Sequence, residues 1–502
     1  MAEKTAESVD ASLPLEVAAQ PAAAPNFAHF WHEYWLRINI ISALILVPCL
    51  WLPRIEAGDL RSHLYNAWLV QLIERGQAPG LFVVHQWNNV LFDLLLNGLG
   101  RVFSLHVAER LAVPFVVLIF FWGAFSFIGS AAGRAPWTLV PLIATISYGW
   151  TYQEGLFNYY LSIGLAFCGL AIFWRGRRFT RLAVIVLSPV LLLAHPYGVA
   201  LLAGGALYVA VAEVIPRRFR WLPLLAAIGP LLFARIYLGQ NYRLKAPVLS
   251  VEFYNGLDQF IFGYRYLIPA AAFAAFIAVA LGSDLLRRRR ERDFPARYAI
   301  PLELYLIVEA AVLLLPDGIY LPQYAAPVGH LTERLTLAST VLLCCPLAAM
   351  KARKWHLRAL AAIALVFFAF LYRDTGRINR MEAQVERLVH TLPPGQRVLD
   401  TVIAPGIDRF SFYHMVDRAC IGYCFSYGNY EAPSKQFRVR AWPGNPYVMT
   451  EVSQASAMEH GDYVVQAHDL PVYQVYQCGA AWTELCIRPL EAGEANDRLG
   501  VH

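Results

Sequence analysis

Eleven stretches of this chain are apolar and of membrane-crossing length or close to it, at approximately 36–52, 109–130, 137–152, 156–174, 182–197, 199–215, 221–239, 264–286, 297–315, 335–350 and 358–372. A helix that spans a bilayer needs about 20 predominantly apolar residues, with a range of roughly 17–25. Inside lipid every backbone polar group must be paired within the segment, so repeated runs of this length restrict the fold to a bundle of α-helices. Composition agrees. Of the 502 residues 58% are hydrophobic and only 16% charged, against about a quarter charged in soluble proteins.

The connectors give an orientation. Arg134, "RGRRFTR" (175–181), "RRFR" (217–220), "RRRRER" (287–292) and "KARK" (351–354) fall in alternate loops, whereas the loops near 152–156 and 195–199 carry no Lys or Arg. Basic loops stay on the cytoplasmic side. The chain is therefore expected to run N-in/C-out, with 53–108, 240–263, 316–334 and everything after the last run on the outer face. The net charge of +6 is accounted for by these topogenic clusters, and no nucleic-acid partner is expected. The first 35 residues, rich in Ala, Pro and acidic side chains, are expected to form a disordered cytoplasmic tail. The transmembrane domain occupies 36–372, and 373–502 forms an extracytoplasmic α/β domain.

In that last region "RVLDTVIA" (397–404), "DYVVQA" (462–467), "PVYQVYQC" (471–478) and "ELCIRPL" (484–490) read as strands, and 379–393 as an amphipathic helix. Cys420, Cys424, Cys478 and Cys486 lie here, in a space where disulfides persist. Cys478 and Cys486 flank a turn and Cys420 stands close to Cys424, but four cysteines allow three connectivities.

Directly after the first run comes "GDLRSHLYNAWLVQLIERG" (58–76). At 100° per residue Leu60, Leu64, Trp68 and Leu72 share one side of a helix over 59–75, and Asp59, His63 and Asn66 share the other. Asp59 suits an N-cap and Gly76 a C-terminal stop. The helix is expected to lie at the outer membrane surface, its polar side facing water or a cavity roofed by the C-terminal domain. A second polar stripe, Asn89, Asp93 and Asn97, marks 87–104 as an interfacial or partly inserted helix.

A first span, an acidic outer loop with two juxtamembrane helices, many further spans and a C-terminal extracytoplasmic domain together resemble the GT-C glycosyltransferases, such as protein O-mannosyltransferases and the lipid A aminoarabinose transferase. "EAGDLRSHLYNAWLVQLI" looks like the first-loop motif of that family, and its catalytic acid carries over onto Asp59; Glu56, three residues earlier, does not complete the usual acidic pair. The resemblance implies a polyprenyl-phosphate-linked sugar as donor, an envelope glycan, lipid or protein as acceptor, and location in the inner (plasma) membrane. It requires no cofactor, though a divalent metal (Mg or Mn) is compatible with it.

Such chemistry needs a general base for the acceptor hydroxyl and cations for the leaving phosphate. Asp59 is the candidate base and His63 its neighbour one turn on, with Asp93 and Glu154 as further acids. Arg334 is the leading phosphate ligand, because it follows the Pro-, Gly- and Tyr-rich loop "LPDGIYLPQYAAPVGH"; Arg243, Lys245 and Arg265 are the other outer cations. Asn66, Asp317, Tyr320, His330 and His195 complete the substrate-binding candidates. The competing reading is a lipid-linked glycan transporter or flippase with an outer sensory domain. Glu303 and Glu309, inside the ninth apolar run, speak for it.

Overall fold

The computed structural model describes residues 27–176, 178–245, 255–288, 296–402, 412, 414–479 and 483–496. Most of the tail expected over 1–35 lies outside them. Helices dominate. In chain order they are α1 (Phe27–Leu50), α2 (Leu60–Glu74), α3 (Leu91–Val102), α4 (Leu105–Ala132), α5 (Val140–Ser147), α6 (Trp150–Gln153) and α7 (Phe157–Arg175). There follow α8 (Arg178–Ala183), α9 (Ser188–Ala194), α10 (Pro196–Val214), α11 (Trp221–Asn241), α12 (Leu267–Arg288) and α13 (Ala296–Leu314). The chain closes with α14 (Leu331–Ala349), α15 (Lys354–Val389), α16 (Met415–Cys420), α17 (Glu431–Ser434) and α18 (Val452–His460).

Among the described residues 8 helices are long and apolar enough to cross a membrane, as a polytopic membrane protein requires. This differs from the eleven runs for local reasons. The run 137–152 is interrupted: α5 starts with Pro141 at its second residue and ends before Gly149, and α6 is a separate turn. The run 182–197 is divided between α8, a 3₁₀ turn and α9, because Pro189 and then Pro196 each restart the helix. The run 297–315 is the single helix α13, but Glu303 and Glu309 reduce its apolar character. α4 and α7 pack most extensively, and glycines make their close approach: a Cβ on Gly123 would lie 2.3 Å from the Gly164 carbonyl oxygen.

The boundary expected at 372/373 falls inside a continuous helix, since α15 runs 36 residues through both the last apolar run and the amphipathic segment. Beyond it, β4 (Arg397–Asp400), β5 (Phe425–Ser426), β7 (Val472–Gln477) and β8 (Leu485–Pro489) form a sheet in the order β5-β4-β7-β8. β4 is parallel to β5 and β7, and β8 is antiparallel to β7. "DYVVQA" contributes only an isolated bridge, Val464 with Ala495, in place of the expected strand. Leu399, Tyr427, Met458, Val465, Val472 and Leu490 are among the residues of the core behind the sheet. The disulfides are Cys420–Cys424 and Cys478–Cys486.

This C-terminal region is tied to the segment after α1. β1 (Leu81–Val83) pairs antiparallel with β6 (Val439–Ala441), and α16 packs on α2. A second ribbon joins β2 (Arg243–Lys245) to β3 (Gly318–Tyr320).

Candidate functional site

The expected helix over 59–75 is α2, but it does not lie on a surface. Every residue from Leu60 to Ala67 is buried, the polar side included. α16 covers one flank and α3 another. The Tyr65 hydroxyl accepts the backbone N–H of Ser426 at 2.9 Å, and Trp68 packs on Phe425. The stripe on α3 is enclosed in part: Asp93 is half-buried and meets α2, Asn97 is buried, and Asn89, half-buried, precedes the helix with φ at 52°.

Asp59 occupies the N-cap position of α2 but its side chain makes no capping hydrogen bond. Its place is fixed through the backbone. The Asp59 N–H donates to the Glu154 carbonyl at 2.9 Å, and Gly58 to Gln153 at 2.8 Å. Gly155 permits this approach: its φ is +79°, and a Cβ there would stand 2.6 Å from the Asp59 nitrogen. Burial raises the Asp59 carboxyl above the usual range, opposed by the charges of His63, His330, Arg334 and Arg61. The free carboxylate is thus a stronger base than an exposed one.

One turn on, His63 Nδ1 lies 2.6 Å from Asp93 Oδ1. Burial disfavours the imidazolium, yet Asp93 outweighs it and holds His63 up at about 9. Burial pushes Asp93 the other way, but His63 and the amide of Asn158, which donates to Oδ2 at 2.8 Å, bring its carboxyl below the ordinary value. His63 is therefore a cation at neutral pH and not a second base. Asn66 donates to the Ser62 carbonyl at 2.9 Å and hydroxyl at 3.1 Å, leaving its Oδ1 buried without a partner among the described residues. The Ser62 hydroxyl donates to Glu431 Oε1 at 3.3 Å. Burial raises Glu431 well above the usual range, reinforced by Asp93, Asp59 and Asp417 against His63.

The remaining candidates form a second group. His330, at φ 55°, starts α14; its Nδ1 pairs with Glu333 at 2.5 Å, and its ring packs on Trp150. Burial opposes charging of His330, but Glu333 and then Glu154 raise its pKa. Arg334 places Nη1 3.2 Å from His195 Nε2, while its carbonyl accepts the Tyr159 hydroxyl. The β2–β3 ribbon sets Lys245 3.4 Å from Asp317 and Arg243 over the Tyr320 ring. The Thr332 hydroxyl donates to Asp317 at 3.2 Å. Two of the expected phosphate cations are thereby engaged with two of the expected substrate ligands. Arg265 is set apart, in the 3₁₀ turn Tyr264–Tyr266 that precedes α12, and in contact with Tyr264.

A cavity of about 700 Å³ opens between α7, α10, α11, α13 and α14, lined almost wholly by apolar side chains, with Tyr197, Leu335 and Tyr159, the residue that bonds the Arg334 carbonyl, among them. Among the described residues no three His, Cys, Asp or Glu side chains converge to hold a metal ion.

An ionic cluster joins this end of the bundle to the C-terminal region. Arg61 pairs with Glu56 at 2.8 Å and with Glu382; Arg418 pairs with Glu382 at 2.9 Å and Glu109 at 3.0 Å. Asn379 donates to Glu56 at 2.6 Å. Glu56, beside the candidate acid in sequence, is thus a member of this cluster, and burial together with Glu382 raises its carboxyl. Sequence reasoning passed over Arg61, Glu109, Glu382, Arg418 and Glu431, most of whose partners lie far along the chain. No family model matches the chain, and no curated protein or solved structure matches it.

Proposed function

We propose that the protein is a membrane glycosyltransferase that moves a sugar from a polyprenyl-phosphate-type lipid to an acceptor on the outer face of the membrane. The observation that carries this reading is an apolar cavity of about 700 Å³ whose wall includes Leu335, the residue after Arg334, and Tyr159, whose hydroxyl bonds the Arg334 carbonyl, with Asp59 close enough to feel the Arg334 charge. A prenyl chain needs an apolar groove, its phosphate a cation, and the acceptor hydroxyl a base. The cavity, Arg334 and Asp59 supply one each.

In this reading Asp59 takes the proton of the acceptor hydroxyl as its oxygen attacks the anomeric carbon, and the carrier phosphate leaves toward Arg334. His63, charged and held by Asp93, stabilises the Asp59 carboxylate. The alternation of basic and uncharged connectors supports a site on the outer face and an extracytoplasmic C-terminal region.

The test is transfer from radiolabelled polyprenyl-phosphate sugars into envelope acceptors, by wild type and by Asp59→Asn at matched expression. Transfer by wild type and its loss in the variant support the reading. No transfer from any donor, with movement of the lipid between leaflets of reconstituted vesicles, would establish the transporter instead. Glu303 of α13, which accepts the Tyr208 hydroxyl of α10 at 2.9 Å, is where that reading would begin.

A further inference from the structure

His195 caps α10, and the cap is one of two claims on the single lone pair of its imidazole. Pro196 at the first helical position has no N–H, so Tyr197 presents the first backbone donor of the helix. His195 Nδ1 accepts it at 3.2 Å. A backbone amide only donates; in this bond Nδ1 therefore holds the lone pair, and the proton sits on Nε2. Nε2 in turn lies 3.2 Å from Arg334 Nη1. Guanidinium nitrogens accept no hydrogen bond. With the Tyr197 bond made, two N–H donors converge with no acceptor between them. With the proton on Nδ1 instead, Nε2 accepts from Arg334 and the Tyr197 N–H goes unmet. The imidazole's single lone pair thus leaves one donor short of an acceptor in either tautomer. Nearby, Arg334 Nε is buried with no hydrogen-bond partner among the described residues. His195 itself is only 8% exposed.

We propose that His195 and Arg334 together bind one phosphate group beside the apolar cavity, His195 through Nε2–H and Arg334 through its guanidinium. The proposal rests on the lipid-phosphate reading of that cavity and adds a second donor to it. A phosphate oxygen is the acceptor that both groups lack, and bonds to it are charge-assisted. The donors are pre-positioned. The imidazole is held edge-on by Tyr159 and Tyr197, with ring centroids 5.3 and 5.2 Å away, and the Tyr159 hydroxyl anchors the main chain of Arg334. Both tyrosines also line the cavity, so its wall lies next to the two donors and a chain attached to the phosphate has it within reach.

A prenyl phosphate and free phosphate share this chemistry, and the experiment separates them. The full-length protein in lipid nanodiscs is titrated with farnesyl phosphate, farnesol and inorganic phosphate, wild type beside His195→Asn, His195→Ser and Arg334→Gln. Asn and Ser keep an oxygen for the Tyr197 N–H and remove the Nε2 donor; thermal unfolding identifies which variant keeps the fold. Each variant is expected to weaken farnesyl phosphate by about tenfold or more, the worth of one charge-assisted hydrogen bond, and to leave farnesol unchanged. Preference for farnesyl phosphate over inorganic phosphate assigns the site to a lipid, and equal affinity assigns it to free phosphate; both support a phosphate site. Undiminished farnesyl phosphate binding by a stably folded His195 variant overturns the proposal. Binding that behaves as expected without sugar transfer would remove the transferase reading and leave the phosphate site standing.

Discussion

Arg418 donates from Nη2 to Glu109 Oε1 at 3.0 Å, across 309 positions of sequence. Glu109 is almost fully buried, and the same guanidinium nitrogen also donates to the Ile55 carbonyl at 2.9 Å. This contact and the Arg418–Glu382 pair fasten α16 to α4 and α15. Removing one partner of a buried ion pair strands the other charge at a cost of about 3–5 kcal/mol. Arg418→Ala is expected to detach the C-terminal region, read as faster proteolysis beyond residue 390 and a lower unfolding temperature. A variant as stable and protected as wild type would show that the cluster contributes little.

Asp59→Asn keeps the shape of the side chain and removes its basicity. Loss of a general base typically lowers rate by about 10²–10⁴-fold, with donor-lipid affinity unchanged. A fall confined to KM would move Asp59 from catalysis to binding.

Replacement of Gly155 by Ala changes no polar side chain, yet it forces a left-handed residue to carry a Cβ against the Asp59 backbone. The strain is of order 1–3 kcal/mol, and the 58–60 segment must shift to relieve it. Transfer is expected to fall by at least about tenfold with the fold retained, because misplacement by 1 Å can cost about a hundredfold. Unchanged turnover would separate the Asp59 position from the Glu154 loop.

Two buried groups make stability fall as pH rises. Burial lifts Asp417 to about 8 from 3.8, so the folded chain keeps a proton that the unfolded chain releases, and stability declines from about pH 4 up to 8. For His63, raised to about 9 from 6.5, the stabilising contribution is full below 6.5 and lost as pH rises through 9. Both act together between about 6.5 and 8, each by up to about 1.4 kcal/mol per pH unit. Thermal unfolding at pH 6–9 is expected to show a falling midpoint, with a shallower fall for Asp417→Asn. A flat profile would mean that neither group titrates in this range.

Local patterns were legible in the sequence. The helix expected over 59–75 is α2 at 60–74, and three of the four strands expected in the C-terminal region form at their places. What periodicity could not convey was the environment of α2. Its division into apolar and polar sides suggested a helix at a surface, but Arg61, between Leu60 and Ser62, is 1% exposed because Glu56 and Glu382 neutralise it. Glu56 is near in sequence, but Glu382, more than three hundred residues away, leaves no mark on local spacing. The interrupted run at 137–152 was misread for the opposite reason: Pro141 and Gly149 are local signals, outweighed by a high apolar count. The role of His195 lay half in view, since "HPY" announces a cap, but its meeting with Arg334 is purely tertiary.

The 36 residues of α15 extend about 54 Å at 1.5 Å per residue, against a hydrocarbon thickness of about 30 Å. More than 20 Å of unbroken rod therefore projects past the lipid, with Glu382 and Glu386 on the projecting part. Such a rod is a lever with its fulcrum in the bilayer. A tilt of 10° at the fulcrum swings the far tip by about 4 Å, more than the length of any hydrogen bond in the ionic cluster it carries. Changes in bilayer thickness, which helices accommodate by tilting, would reach α2 and Asp59 through this arm as a mechanical displacement.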